Sequence, residues 1–249
     1  MKPELLEVAS GVHAVEASHT NVILIVDGSE VTVVDSGYPG DRQLLEAALA
    51  QIGKGPNDVA AMLLTHAHVD HLGSAEWLRA SYGVPVHCHI DEAPHARGEI
   101  SEVISEAEIF RRIWRPGVFT FAVNAIAKGA TRPQHVTEVV TFPDGEVVDV
   151  AGRPRAIHTP GHTSGHVGFH LPDRGVLISG DALITVDVWN RTRRGPQVIR
   201  TPFNHDHAQA IESLARFEDL QADVVLPGHG RPYRGTPFQA VQEARGSRT

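Results

Sequence analysis

Four times along this chain, an apolar run of strand length stops at a tight turn that displays a histidine or an aspartate. Residues 59–64 end at Thr65-His66-Ala67-His68-Val69-Asp70-His71, residues 157–161 lead to His162, Val176–Gly180 lead to Asp181, and residues 224–228 lead to His229. Short β-branched runs bounded by turn residues read as buried strands. Glycines at 161, 180, 228 and 230 let the backbone turn sharply and approach a site closely. Taken together, the four loops supply seven potential ligands on strand ends. Each loop alone is an ordinary turn, and the constraint comes from their number.

The remaining pattern fills in that architecture. Strands are expected at Val12–Glu16, 22–26 and 31–35, and a helix over 41–52 with Leu44, Leu45, Ala48 and Ile52 on one face, stopped by Gly53. A helix over 72–82 closes at Gly83, and 84–89 reads as another strand. Residues 91–135 change character: Ile104, Ile109, Ile113, Trp114, Phe119, Phe121 and Ile126 lie in a mostly helical pattern. Strands then return at 136–142, 146–150, 154–159, 166–171 and 175–179, followed by a helix over 206–217, a strand over 222–226 and a last short helix. Strands followed by helices in both halves predict two packed sheets flanked by helices. The expectation is one domain over residues 1–249, with 91–135 as a helical insertion.

Composition narrows the chemistry. The chain has 249 residues, 41% of them apolar, enough for one large core. Histidine is over-used, with 16 copies, which raises metal or acid–base chemistry. Cys88 is the single cysteine, so no internal disulfide and no cysteine-rich cluster can form, and any metal must sit on nitrogen and oxygen. Strand alternation puts Cys88 opposite His87 and His89, as a buried structural thiol. A net charge of -8 argues against a nucleic-acid partner, although Arg191, Arg193, Arg194 and Arg200 form a local basic stretch. Without a long apolar run or an apolar leader, a cytosolic chain with no membrane partner is expected.

The sharpest motif is 65–71. Residues two apart at a strand end project to the same side, so His66 and His68 can share one ion while Asp70 and His71 turn toward a second. Asp70 could instead cap the following helix, a reading that suits one polar residue better than four. Competing motifs fail: Gly161 to Gly165 reads GHTSG rather than the GxSxG elbow, and no phosphate-binding glycine loop is present.

Taken together, HxHxDH, then His in TPGHT, Asp in SGD and His in PGHG resemble the metallo-β-lactamase superfamily over residues 12–233. The resemblance implies an α/β fold, a four-layer αββα sandwich with the site at one edge. It implies two divalent metal ions, zinc first with iron or manganese as alternatives: His66, His68 and His162 on one, Asp70, His71 and His229 on the other, and Asp181 bridging. It further implies a hydrolase that uses a metal-bridging hydroxide on an ester, lactone, thioester or amide carbonyl, with Asp70 accepting or relaying the proton. True β-lactamases of this fold lack the bridging aspartate. Glyoxalase II shares all seven ligands but carries a long C-terminal extension, whereas this chain ends 20 residues after His229. The acyl-homoserine lactonases have a tyrosine beyond the bridging aspartate, and no tyrosine occurs here between Asp181 and Tyr233. The rival is an iron oxidoreductase resembling the persulfide dioxygenases. Phosphodiesterase or nuclease activity and a non-catalytic metal module rank lower, the last because seven ligands leave positions open where a structural zinc closes four.

Substrate choice must come from outside the metal loops. Residues 100–127 are expected either to pack as plain core or to fold over the metals as a lid, with Trp114, Phe119 and Phe121 as an apolar wall and Arg191 and Arg193 on a polar rim, around a small-molecule substrate. His158 is expected to orient a ligand from behind. Oligomeric state is left open, a homo-oligomer included.

Overall fold

A computed structural model describes residues 3–191 and 194–247; the expectation for Arg193 lies outside them. Strands β1 (Leu5–Ala9), β2 (Val12–Glu16), β3 (Asn21–Asp27) and β4 (Glu30–Val34) form an antiparallel meander. Helix α1 (Arg42–Gln51) leads to β5 (Val59–Leu63), and α2 (Ala75–Tyr82) leads to β6 (Val86–His89), each strand pairing parallel with the one before. Three short helices follow, α3 (Ala93–Ala96), α4 (Glu106–Arg112) and α5 (Pro116–Ala127). Then β7 (Val140–Phe142) completes a sheet of seven strands among the described residues, in sequence order.

The second sheet is built from β8 (Arg155–His158), β9 (Val167–Leu171) and β10 (Val176–Gly180), all antiparallel. A two-stranded ribbon, β11 (Ile184–Val186) and β12 (Arg194–Gln197), stands apart. Helices α6 (His207–Ser213) and α7 (Ala215–Glu218) carry the chain to β13 (Val224–Pro227), parallel to β10, then β14 (Tyr233–Arg234) and the last helix, α8 (Pro237–Gly246). The order is β14-β13-β10-β9-β8.

Side-chain alternation separates the layers. On β3, Ile23 and Ile25 face β10 and β13 residues Val176, Ile178, Val224 and Leu226 in the core between the sheets. Val22 and Leu24 face the other way, onto Leu45, Ala48 and Leu49 of α1 and Leu78 of α2. On the second sheet Leu177 and Val225 point outward onto Phe217 of α7 and Ala240 and Val241 of α8. Helix, sheet, sheet and helix follow in order, the expected αββα sandwich. Each fully buried aliphatic side chain stabilises by roughly 1.5–3 kcal/mol, which offsets the cost of gathering charged groups at one edge.

Several boundaries differ from the sequence pattern. Residues 146–150 are not a strand, since only Val147 bridges to Arg155. Gly152 and Arg153, with φ of 86° and 44°, turn the chain straight back onto β8 before a ladder can form. The helix expected from 72 begins at Ala75, because the amides of His71 and Leu72 both donate to the His68 carbonyl and hold 68–72 as a compact loop. Gly73 permits that loop: a Cβ there would lie 2.2 Å from the backbone carbon of Tyr38. Strand 136–142 shortens to three residues, helix 206–217 divides after Ser213, and β1, β14 and the ribbon were not anticipated.

Candidate metal centre

The four loops that display the candidate ligands all follow the C-terminal ends of their strands, β5, β8, β10 and β13. The two sheets are stitched together where those ends meet. The Asn21 side-chain amide donates to the carbonyls of Pro227 (2.8 Å) and Gly230 (2.7 Å), and the Val167 amide donates to the Thr65 carbonyl (2.9 Å). Gly228 is required by close approach, since a Cβ there would sit 1.9 Å from Asp181 Oδ1.

Three imidazoles converge first. His66 Nε2 lies 3.1 Å from His68 Nδ1 and 3.2 Å from His162 Nε2, and the last two are 3.0 Å apart. Four-coordinate zinc with bonds of about 2.0–2.1 Å has nitrogen–nitrogen edges of roughly 3.3 Å, so the triangle has the size of one tetrahedral face. The opposite side of each ring assigns its tautomer. The Thr65 hydroxyl donates to Asp35 Oδ2 (2.7 Å), so it accepts from His66 Nδ1–H (3.0 Å). His68 Nε2–H donates to the Glu102 carbonyl (2.9 Å) and His162 Nδ1–H to Asn204 Oδ1 (3.0 Å). Three lone pairs therefore point at one place. Burial, together with the neighbouring imidazoles, holds His66 and His162 well below the usual histidine range and lowers His68, so all three are neutral donors.

The second cluster is contiguous with the first. One ligand atom each of His66, His71 and Asp181 lie within 4.8 Å of one another, as do those of Asp70, His71 and His229. His71 Nδ1–H donates to Asp35 Oδ2 (2.8 Å) and His229 Nδ1–H to the His19 carbonyl (2.8 Å), leaving both Nε2 atoms turned inward. His71 Nε2 is 3.6 Å from Asp181 Oδ1 and 3.7 Å from Asp70 Oδ2, beyond hydrogen bonding. His71 Nε2 and Asp181 Oδ1 are buried without any partner. Such atoms are costly unless something bridges them, and a cation among carboxylates and imidazoles fits.

The electrostatics agree with that fit. Burial works against a charged His71, but Asp35, Asp70 and Asp181 raise it to about 10. Burial likewise opposes charge on His229, and Asp181 outweighs it. Burial would raise Asp181, yet His229 and His71 hold its carboxyl well below the carboxylate range. Excess negative charge thus recruits protons onto the two histidines whenever no metal does the same work.

Several supporting residues escaped the sequence reading. Asp35, at a left-handed φ of 56°, accepts from the Thr65 amide and hydroxyl and from His71. Glu92 is buried and accepts from the Ala67 amide and the Thr163 hydroxyl, both at 2.7 Å, so it joins two metal loops. Thr20 Oγ1 donates to Asp70 Oδ2 (3.0 Å). His166, pushed down to about 4 by burial, is neutral and accepts the Asp181 amide at 3.0 Å. The only sequence signal among them was the acidic end of the 31–35 strand.

The expected specificity residues are placed as follows. Trp114 and Phe119 are exposed, and Phe121 packs edge-on to Phe203 in a small core beside β11. Arg191 is bonded to Glu16 (2.5 Å) and Arg200 to Asp187 (2.5 Å), so part of the basic stretch is neutralised locally. His158 bonds to the Ser164 carbonyl rather than to a ligand. It also forms a third grouping with His89 and Asp91. There the imidazoles stack face to face at 4.0 Å and 13°, and lone pairs in parallel planes cannot meet on one ion.

Comparison with known proteins matches residues 15–229 to the family described as the metallo-beta-lactamase superfamily. The chain is 29% identical to the probable metallo-hydrolase YflN of Bacillus subtilis (strain 168), covering 94% of this chain and 89% of that protein. It is 28% identical to the human acyl-coenzyme A thioesterase MBLAC2, covering 85% and 73%. Among solved structures it is similar to a metallo-beta-lactamase family protein from Thermus thermophilus, with 33% identity, a TM-score of 0.63, and coverage of 90% and 72%.

Proposed function

Because the chain belongs to the metallo-beta-lactamase superfamily, we propose that it is a dinuclear metal-dependent hydrolase of an ester, lactone, thioester or amide. The observation that carries this reading is the pairing of three converging imidazole lone pairs with two buried, unpartnered ligand atoms, His71 Nε2 and Asp181 Oδ1. His66, His68 and His162 would hold one cation and Asp70, His71 and His229 the other, with Asp181 within reach of both groups. Two divalent cations, zinc foremost, supply Lewis acidity and lower the pKa of water from 15.7 toward about 7.

The chain's own groups then divide the remaining work. Asp70 is the more open carboxylate, with its side chain 16% exposed against 2% for Asp181. Its Oδ2 is steadied by the Thr20 hydroxyl, and both features support assigning it the uptake and relay of the proton. Asp35, Glu102 and Asn204 hold His71, His68 and His162 in the tautomers that leave lone pairs inward. The likeness to an acyl-coenzyme A thioesterase makes thioesters the first substrates to assay.

The test is elemental analysis of protein purified without chelator, followed by an ester, thioester, lactone and amide panel. Two metals per chain with cleavage of one class supports the reading. A single iron per chain, with oxygen uptake on a persulfide and no hydrolysis, overturns it in favour of the dioxygenase.

A further inference from the structure

We propose that the outer face of α4 and α5 is a docking surface for an anionic lipid interface. Their inner face is already committed: Val118 is buried with Ile184, Val188, Trp189, Ile199 and Phe203, and Ile109, Ile113 and Phe121 pack against that group. A surface helix covered on one side normally turns a polar face to water. Here the other side is apolar as well, with Phe110 77%, Trp114 75%, Phe119 54%, Val123 51% and Ile126 59% exposed. Phe119, Val123 and Ile126 are spaced to share one face of α5, Phe110 lies in the last turn of α4 and Trp114 in the turn that follows it, and the two helices pack together. At roughly 200 Å² per aromatic side chain, the three aromatics alone leave on the order of 400 Å² open. A patch of that size is as large as the largest one on a typical monomer, which is often functional.

Charge selects the partner. Residues 109–135 contain Arg111, Arg112, Arg115, Lys128 and Arg132 and no acidic residue, inside a chain of net charge -8. Helix α4 also carries Glu106 and Glu108; Glu108 pairs with Arg111 and Arg112, and Asp41 with Lys128, so five basic residues stand against three acidic ones and an excess of positive charge remains. The Arg111 side chain is 69% exposed, and the Arg115 guanidinium lies 5.3 Å from the Trp114 ring centroid. Exposed tryptophan and phenylalanine rimmed by arginine is the composition of helices that lie in a membrane interface and are drawn to anionic headgroups. A second copy of the chain is disfavoured, because a two-fold contact sets the same patch against itself and opposes like charges. The whole-chain charge conceals this segregation. The opposite side of α5 reaches the rim of the metal centre: the Asn124 side-chain amide donates to His19 Nε2 (2.6 Å), and the His19 carbonyl holds His229.

Co-sedimentation of the metal-loaded protein with vesicles tests the assignment, using phosphatidylcholine alone and phosphatidylcholine mixed with phosphatidylglycerol. Binding is expected on the anionic vesicles only, and high salt should weaken it. Trp114→Ala should reduce partitioning by about tenfold or more, and Arg111→Gln by about fivefold. Both should melt with the wild type, because these side chains are exposed. No pelleting with either vesicle, or equal pelleting with both, overturns the proposal. So does a concentration-dependent dimer that Trp114→Ala dissolves, since a second copy would then cover the face. Vesicle binding by a protein that hydrolyses nothing leaves this inference standing and removes only the hydrolase reading.

Discussion

Asp35→Asn removes one charge and almost no volume, so its effect isolates what the carboxylate does for the metal centre. Three buried donors meet on Asp35: the Thr65 amide at 2.9 Å, the Thr65 hydroxyl at 2.7 Å and His71 Nδ1–H at 2.8 Å. An amide offers one acceptor oxygen and an NH₂ group. If its oxygen replaces Oδ2, the Thr65 amide faces the NH₂, and an unsatisfied buried donor costs about 1–3 kcal/mol. If the NH₂ replaces Oδ2, it donates to His71 Nδ1 and drives the imidazole proton onto Nε2, the atom that must face the metal. Either arrangement weakens the second metal. Loss of such a partner behind a histidine ligand typically costs about 10–100-fold in affinity or activity. Chelator competition on the purified variant measures the affinity, and denaturant unfolding of the metal-free form measures the stability. A variant that binds both metals as tightly as the wild type would refute the argument that Asp35 orients His71.

Asp181→Ala should lose activity and at least one metal while keeping its circular dichroism, and full metal content in that variant would end the dinuclear assignment. Stripping metal should lower the melting temperature, and zinc at a thousandfold over its Kd should restore about 4 kcal/mol; a melting curve indifferent to chelator contradicts the fit. His71 in the metal-free protein is raised from 6.5 to about 10, so its contribution to stability is fully present below 6.5 and drains away as pH rises through about 10. Urea midpoints across that window should fall for the metal-free form and stay flatter for the loaded one, whose metal has replaced the proton. Cys88, whose thiol burial pushes up to about 12, should resist thiol reagents until the protein unfolds. Cys88→Ser should leave catalysis intact and cost about 1–3 kcal/mol for the buried hydroxyl.

What could be read along the chain was whatever is encoded locally. The apolar run 22–26, the helix 41–52 and its glycine stop, and the seven candidate ligand positions each lie within a few residues of the feature that defines them. A metal ligand is constrained in side-chain type, and a strand end followed by a glycine turn constrains its direction. The segment 146–150 shows the limit, because its apolar alternation is that of a strand while left-handed turns at Gly152 and Arg153 fold it away.

The residues that hold the ligands obey no such local rule. Asp35 serves Thr65 and His71 from 30 and 36 positions away, Asn204 serves His162 from 42, and Asn21 reaches Gly230 across 209. Any donor or acceptor of suitable length can do that work, so the sequence carries no type signal for it, and only the meeting of strand ends selects which one does. The same holds for the aromatics of 109–126: hydrophobic periodicity placed them in a mostly helical pattern, and packing alone put Phe121 against Phe203 and left Trp114 and Phe119 in solvent. Side-chain chemistry is a property of single residues and is legible by itself, whereas orientation and exposure are properties of distance in space.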